Sequence, residues 1–367
     1  MSVATSRDSR LSQRKRVVFA TVTVGLTLIV PFAALLGADI YLHGKYQRSA
    51  GVNVWGYRGP VVARKGPGEF RVAVFGGSTA FGYGVNWDQS FPAVLERLLA
   101  TRTPGVYKVV NLAYNNEGAY SFTFTMKDYA YLKYDLALFY EGYNDMMADP
   151  NRPNLSVFRH DSPVFRLTGY LPIFPLVFKE KAAAMLYGGD VGAMYRDQPK
   201  TVFRPGLAAR TSAEILTAAA SVGESLERQL GRVSREGPRT IVDKAASGCA
   251  YPWQEYCRSM FNAVQYGLAE GKQVMVVTQP YEAGVELRLR HKQQQAEMTA
   301  MLSRRFANDP RVLYLNLGET VEVSDPRLSF DRMHLTAAGN VKLADALVTP
   351  VLTMAARRST TAARIEH

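Results

Sequence analysis

FRVAVFGGSTAFGYG, Phe70 to Gly84, decides how this chain is read. Arg71 to Phe75 is a short, partly β-branched apolar run that glycines end, which reads as a buried parallel strand. Ser78 stands at the turn from that strand into a helix. The next segment, SFPAVLERLLA, places Phe91, Val94, Leu95, Leu98 and Leu99 at helical spacing, with Ser90 as N-cap and Pro92 in the first turn. The same alternation recurs along the chain. YKVVNLA reads as a second strand, AYSFTFTMKDYAYLK as a helix and YDLALFYEG as a third strand. After a longer interval come the helix QEYCRSMFNAVQYGLAEG, closed by Gly271, and a fourth strand, KQVMVVTQP. A polar amphipathic helix over 283–307, a fifth strand, RVLYLNLG, and a last helix from Leu335 complete the series. Strands alternating with helices are the grammar of a parallel sheet covered on both faces, an α/β fold. In such sheets the site lies beyond the carboxyl ends of the strands.

Outward from this unit the composition is that of a globular chain. It has 367 residues, 47% hydrophobic and 21% charged. The net charge of +12 gathers at the ends, with Arg7, Arg10, Arg14, Lys15 and Arg16 at one and Arg357, Arg358 and Arg364 at the other. No basic stripe with interleaved aromatics lies between them, so nucleic acid is not an expected partner. Val17 to Ala38 is an uncharged run of 22 residues behind the basic cluster. That length spans a bilayer core of about 30 Å, and the charge order keeps the N-terminus cytoplasmic and exports the rest to the periplasm or exterior. A cleaved signal peptide is the competing reading, but its apolar region is shorter and a cut after Ala38 puts Leu36 where a small residue is wanted. The expected organisation is a tail over 1–16, an anchor over 17–38 and an extended juxtamembrane segment over 39–69. A catalytic domain over 70–357 follows, with an insertion at 150–250, and then a disordered tail over 358–367. Within the insertion a helix is expected over 211–235. Cys249 and Cys257, the only cysteines, stand close together in an exported domain and suit a local disulfide, with two buried thiols as the alternative. No cluster with metal-ligand spacing accompanies them.

Four short stretches follow strands and carry polar groups. Ser78 in GGSTA has the position of a nucleophile whose own N–H also donates to an oxyanion; a phosphate loop is the bland reading, but neither G-x-x-x-x-G-K-[ST] nor G-x-G-x-x-G occurs here. Gly118 in NNEGAY offers an unhindered N–H, or is simply a loop glycine. Asn144 in EGYND offers a side-chain amide that donates without titrating, or forms an Asx turn. In SFDRMHLTAAGN, His334 has the chemistry to deprotonate Ser78 and Asp331 to hold its imidazole. The alternative is Asp331 as a cap on the last helix. Each bland reading is respectable singly; four in order, each after a separate strand, are harder to dismiss together. Glu141 and Tyr143 flank the Asn144 loop as possible substrate contacts. Phe158, Phe165, Tyr170, Phe174, Phe178 and Tyr187 either line a pocket or form a satellite core.

This set resembles the SGNH (GDSL-type) hydrolases, whose four blocks carry a Ser, a Gly, an Asn and a His preceded by Asp as D-x-x-H. The matching positions are Ser78 in GGST, Gly118 in NNEGAY, Asn144 in GYND, and Asp331 with His334 in DRMH, over about residues 70–150 and 250–350. The resemblance implies a three-layer α/β/α flavodoxin-like fold with about five parallel strands. It implies ester hydrolysis or acyl transfer through an acyl-serine, with the oxyanion held by the Ser78 and Gly118 N–H groups and the Asn144 amide, and no cofactor or metal. One departure stands out: the usual Gly-Asp-Ser reads Gly76-Gly77-Ser78, which removes a structural partner of the turn.

Two other classes compete. In an α/β-hydrolase the acid sits on a different loop from the histidine, and position 80 is Ala where G-x-S-x-G requires Gly. A silent binding module on the same fold would have lost some of the positions that are filled here. With an exported, anchored domain the expected substrates are O-acyl, above all O-acetyl, esters of envelope or extracellular carbohydrate. An acyltransferase on the same substrates or a lipid esterase is the alternative.

Overall fold

The computed structural model describes residues 13–49, 51–178, 248–282 and 284–365. Helix 211–235, Tyr187, most of the insertion and the first residues of the tail lie outside the described residues.

The chain begins with helix α1 (Gln13–Tyr46), whose stretch Lys15–Tyr46 is long and apolar enough to cross a membrane. Strand β1 (Glu69–Gly76) runs into the one-turn helix α2 (Ser78–Phe81). Then come α3 (Phe91–Arg102), β2 (Val106–Asn111), α4 (Ala119–Asp128), β3 (Leu136–Glu141), α5 (Tyr143–Met146) and α6 (Pro163–Thr168). The second half holds α7 (Gln254–Ala269), β4 (Gln273–Thr278), α8 (Val285–Phe306), β5 (Val312–Leu315) and α9 (Ala337–Ile365). The five strands are all parallel, in the order β2-β1-β3-β4-β5. That is the flavodoxin-like order. Helices α3 and α9 pack together on one face, and α4 and α7 together on the other, giving three layers. With both faces covered, β3 and β4 are buried at every residue, so their sequences read as continuous rather than alternating apolar runs. The order reverses at β1, where the first crossover goes to β2 and the second returns to β3. The crevice this opens lies at the carboxyl ends of β1 and β3, beside Ser78.

Three local expectations change. Helix α1 does not stop at Ala38; it runs to Tyr46, and its last turns are packed rather than extended. Asp39, Leu42 and His43 are buried. The Asp39 carboxylate accepts from the N–H of Ile173 (2.8 Å) and Phe174 (2.6 Å) and from the Tyr170 hydroxyl, while the His43 ring lies within hydrogen-bond distance of the carbonyls of Val52 and Leu171. Leu42 and the polar pair give the helix a reason to continue past the apolar run. The C-terminal segment is also helical, to Ile365, since SerThrThrAlaAla after Arg358 holds no glycine or proline to end it. Ser90 sits at the N-cap of α3, but its hydroxyl donates to the carbonyl of Trp87 (2.6 Å), and the first N–H, of Phe91, is taken instead by Asn340 Oδ1 (2.9 Å) at the start of α9.

Of the six aromatics singled out in the insertion, Phe165 belongs to the main core and Phe158, Phe174 and Phe178 pack against it, so they form no separate satellite core. Phe158 stacks on Tyr114 at 4.4 Å, Phe165 is buried 6.2 Å from the Tyr129 ring, Tyr170 meets His43 edge-on, and Phe174 meets Phe178. Cys249 and Cys257 are joined in a disulfide that closes the entry to α7.

Candidate active site

Ser78 opens α2, so its N–H is among the first-turn donors that no intrahelical carbonyl reaches. Gly118 is the N-cap of α4 and presents a second such N–H. His334 arrives from the loop after β5. Its Nε2 lies 2.8 Å from Ser78 Oγ, and its Nδ1 lies 2.7 Å from Asp331 Oδ2. The other Asp331 oxygen accepts from the N–H of His334 (2.7 Å) and Met333 (3.1 Å). The carboxylate thus braces its own turn while it holds the ring. Between them Arg332 has φ 68°, a left-handed conformation that costs of order 1 kcal/mol for a residue with a Cβ. The strain bends D-x-x-H so that both contacts form. Burial alone raises the Asp331 carboxyl; the hydrogen bonds from the His334 ring and from the two N–H groups outweigh it and hold the group below the usual aspartate range. The cap of α9 is Thr336, whose hydroxyl accepts from the Gly339 N–H (3.3 Å), so Asp331 is not spent on the helix.

Asn144 lies across the turn. Its Nδ2 donates to the carbonyl of Glu117 (2.7 Å), and a carboxamide nitrogen carries a second hydrogen. The fit is close: a Cβ on Gly77 would stand 2.0 Å from Asn144 Nδ2, and one on Gly118 would stand 2.7 Å from the Asp145 carboxylate. The Glu117 carboxylate accepts from the Phe158 N–H (3.0 Å) and pairs with the buried Arg159, which also donates to the carbonyls of Gly56 and Leu112. These contacts shape the loop that carries Gly118.

Glu141 and Tyr143, the possible substrate contacts, lie in the interior. Both are buried, at 2% and 1% exposure. The Tyr143 hydroxyl donates to the carbonyl of Pro280, and its N–H donates to Gln279 Oε1 (2.7 Å). Glu141 is the last residue of β3, and the sheet is covered on both faces there, so either side-chain direction leads inward. Both of its carboxyl oxygens are buried without a hydrogen-bond partner, with the Asp145 carboxyl close by. Burial, reinforced by the charge of Asp145, pushes Glu141 well above the usual range; burial pushes Asp145 up to about 7. Asp145 Oδ2 accepts from the Ala119 N–H (2.9 Å), next to Gly118.

Two features of the site were not singled out in the sequence. Arg58 is buried; its guanidinium donates to the carbonyls of Ser49, Gly51 and Val85, and its N–H to that of Asn111, tying the end of α1 to the loop that follows Ser78. A patch of polar side chains on α8 lies behind the Asn144 loop, where Gln294 donates to the carbonyl of Gly142 (3.0 Å) and Gln279, just after β4, bridges Tyr143 and Thr79. The glutamines at i and i+1 in α8 are the signal that had been available, since they interrupt the apolar face of an otherwise amphipathic helix.

An α/β/α protein with a serine, a histidine and an aspartate in hydrogen-bonded series at the carboxyl edge of its sheet is the class that fold and geometry define. No family model and no curated protein matches the chain. Among solved structures it is similar to a member of the lipolytic protein G-D-S-L family from Veillonella parvula, at 8% identity and a TM-score of 0.39 over 76% of this chain and 97% of that one. It is similar also to a catalytic mutant of an acetylxylan esterase from Geobacillus stearothermophilus (13%, 0.40, 78% and 95%) and to a GDSL-like lipase from Bacteroides thetaiotaomicron (12%, 0.38, 80% and 93%).

Proposed function

We propose that the protein is a membrane-anchored serine esterase of the SGNH type acting on O-acyl, chiefly O-acetyl, esters of envelope or extracellular carbohydrate. The observation that carries this reading is the series Ser78 Oγ, His334 Nε2, His334 Nδ1 and Asp331 Oδ2, with contacts of 2.8 and 2.7 Å. His334 Nε2 takes the Ser78 proton as Oγ attacks the ester carbonyl. The oxyanion forms against the N–H groups of Ser78 and Gly118 and the free amide hydrogen of Asn144. Collapse breaks the bond to the alcohol oxygen, which leaves with the proton from His334 Nε2, and the acyl group stays on Ser78. Water, deprotonated by the same nitrogen, releases the acid and restores the serine. A sugar hydroxyl in place of that water gives acyl transfer with the same residues. The uncharged run over 17–38 behind Arg14, Lys15 and Arg16 supports an anchor with the domain over 70–357 exported.

The test is the full chain in detergent micelles with p-nitrophenyl acetate. Ser78→Ala is expected to lose at least 10³-fold in kcat, in line with removal of a nucleophile, with an acetyl adduct found by mass spectrometry on Ser78 of the wild type only. Equal rates for the two proteins overturn the assignment.

A further inference from the structure

The nucleophile and its base are each joined through the main chain to an exposed aromatic ring. Tyr83 donates its N–H to the carbonyl of Ser78 (3.0 Å), and its ring centroid lies 4.9 Å from that of His334. Phe330 donates its N–H to the carbonyl of His334 (3.1 Å), and its ring lies against Gly84, where a Cβ would come within 2.6 Å of Cε2. The rings are 55% and 49% exposed although both stand beside the most ordered polar contacts of the site. Exposed rings at the mouth of a polar site mark a binding surface more often than a failure of packing.

Their side of the site settles what they meet. The oxyanion donors, Ser78 N–H, Gly118 N–H and Asn144, define where the carbonyl oxygen lies. His334 Nε2 must hand its proton to the leaving oxygen, so the alcohol half of the ester lies over His334. The Tyr83 ring packs on the His334 ring and the Phe330 N–H is bonded to the His334 carbonyl, so both belong to the His334 side of the site, the side of the alcohol. Resting on the esterase reading above, we propose that Tyr83 and Phe330 form a two-ring platform that selects esters whose alcohol presents a flat, non-polar ring face, as a pyranose does with its axial hydrogens. Gly84, with φ +85° and no Cβ, leaves the space that the Phe330 ring occupies next to Tyr83 in the chain. A small acyclic alcohol has no surface for either ring to cover.

The full chain in micelles is assayed on an acetylated methyl glucopyranoside and on methyl acetate, for wild type, Tyr83→Ala, Tyr83→Phe and Phe330→Ala. Each alanine variant is expected to lower kcat/KM on the pyranoside about fivefold to tenfold, the size of one aromatic face contact, mainly through KM. The loss on methyl acetate is expected to be at least fivefold smaller, and Tyr83→Phe to restore the pyranoside rate. Equal losses on the two esters, or no loss on the pyranoside, overturn the platform. Binding of the acetylated pyranoside by calorimetry in the Ser78→Ala background reads the same surface without turnover. If the Ser78→Ala chain binds it and loses affinity with Tyr83→Ala, while the wild type hydrolyses neither ester, the esterase reading sinks and the platform stands; unchanged affinity sinks the platform alone.

Discussion

Gly77→Ala adds a single methyl group to the turn that carries Ser78. Built on this backbone, that carbon stands 2.0 Å from Asn144 Nδ2 and 3.0 Å from the carbonyl oxygen of Glu117. Carbon and nitrogen in ordinary contact are roughly 3.5 Å apart, so the carboxamide must retreat by about 1.5 Å or the turn must open. Misplacement by about 1 Å costs on the order of 10²-fold in rate, and loss of an oxyanion donor costs about 10² to 10³ in kcat. Gly77→Ala is therefore expected to lower kcat on p-nitrophenyl acetate about 10²-fold while far-ultraviolet dichroism stays that of the wild type. The same logic applies with more force to Gly77→Asp, which restores the residue that the resembled family places before its serine. The control is a double-mutant cycle with Asn144→Ala. Once the carboxamide is gone, Gly77→Ala is expected to cost less than about threefold further, because the partner of the clash has been removed. Near-wild-type kcat for Gly77→Ala, or a 10²-fold loss that persists in the Asn144→Ala background, refutes the argument that Gly77 is there to admit Asn144.

Asp331→Asn removes the charge that holds His334 while keeping the shape; a loss of about 10² to 10⁴ in kcat is expected, read from single-substrate kinetics. The buried pair Glu141 and Asp145 sets a pH dependence of stability. Asp145 is raised to about 7 in the folded chain against about 4 when unfolded, and Glu141 is also raised well above its usual range. Between these values the folded state holds a proton that the unfolded state has released, so the contribution of this pair to stability is full below about pH 4 and is lost as pH rises through 7. Thermal melts are expected to drop between pH 5 and pH 8, and Glu141→Gln to flatten that slope; a melting temperature that rises over this range contradicts the assignment. Cys249→Ser with Cys257→Ser opens a loop with a separation of 8 residues, and the chain-entropy relation gives a loss of about 2.5 kcal/mol, measured by urea denaturation, with kcat of the folded fraction unchanged.

Ser78 was legible because it stands directly after β1, between glycines, and Asp331 with His334 because their D-x-x-H spacing is a motif of its own in the long loop that follows β5. The strands themselves stood out as apolar runs between glycines. Glu141 was misread for the complementary reason. In an antiparallel strand with one wet face, alternation tells which side chains point outward; β3 is covered on both faces, so a glutamate at its end gives no such sign. Arg58 was invisible as a site residue because its hydrogen-bond partners are carbonyls, and main-chain acceptors leave no mark in a sequence. The extension of α1 past Ala38 was hidden by Asp39 and His43, which look like the start of a wet segment until Tyr170, Ile173 and Phe174 are seen to satisfy them.

The absence of an aspartate at position 77 then has a local explanation. With Asn144 turned toward the Glu117 carbonyl there is no volume at Gly77 for any side chain, so a carboxylate cannot support the turn from within the loop. The Glu141 carboxyl, at the end of β3, does not take that place: both of its oxygens are buried without a hydrogen-bond partner. Burial and the charge of Asp145 push its pKa well up, which favours the neutral acid there. What joins the serine turn to the asparagine loop is instead the bond from Asn144 Nδ2 to the carbonyl of Glu117, at 2.7 Å. That bond needs position 77 bare, since a Cβ there would stand 2.0 Å from the donating nitrogen. The glycine that removes the aspartate is therefore the same glycine that admits the asparagine.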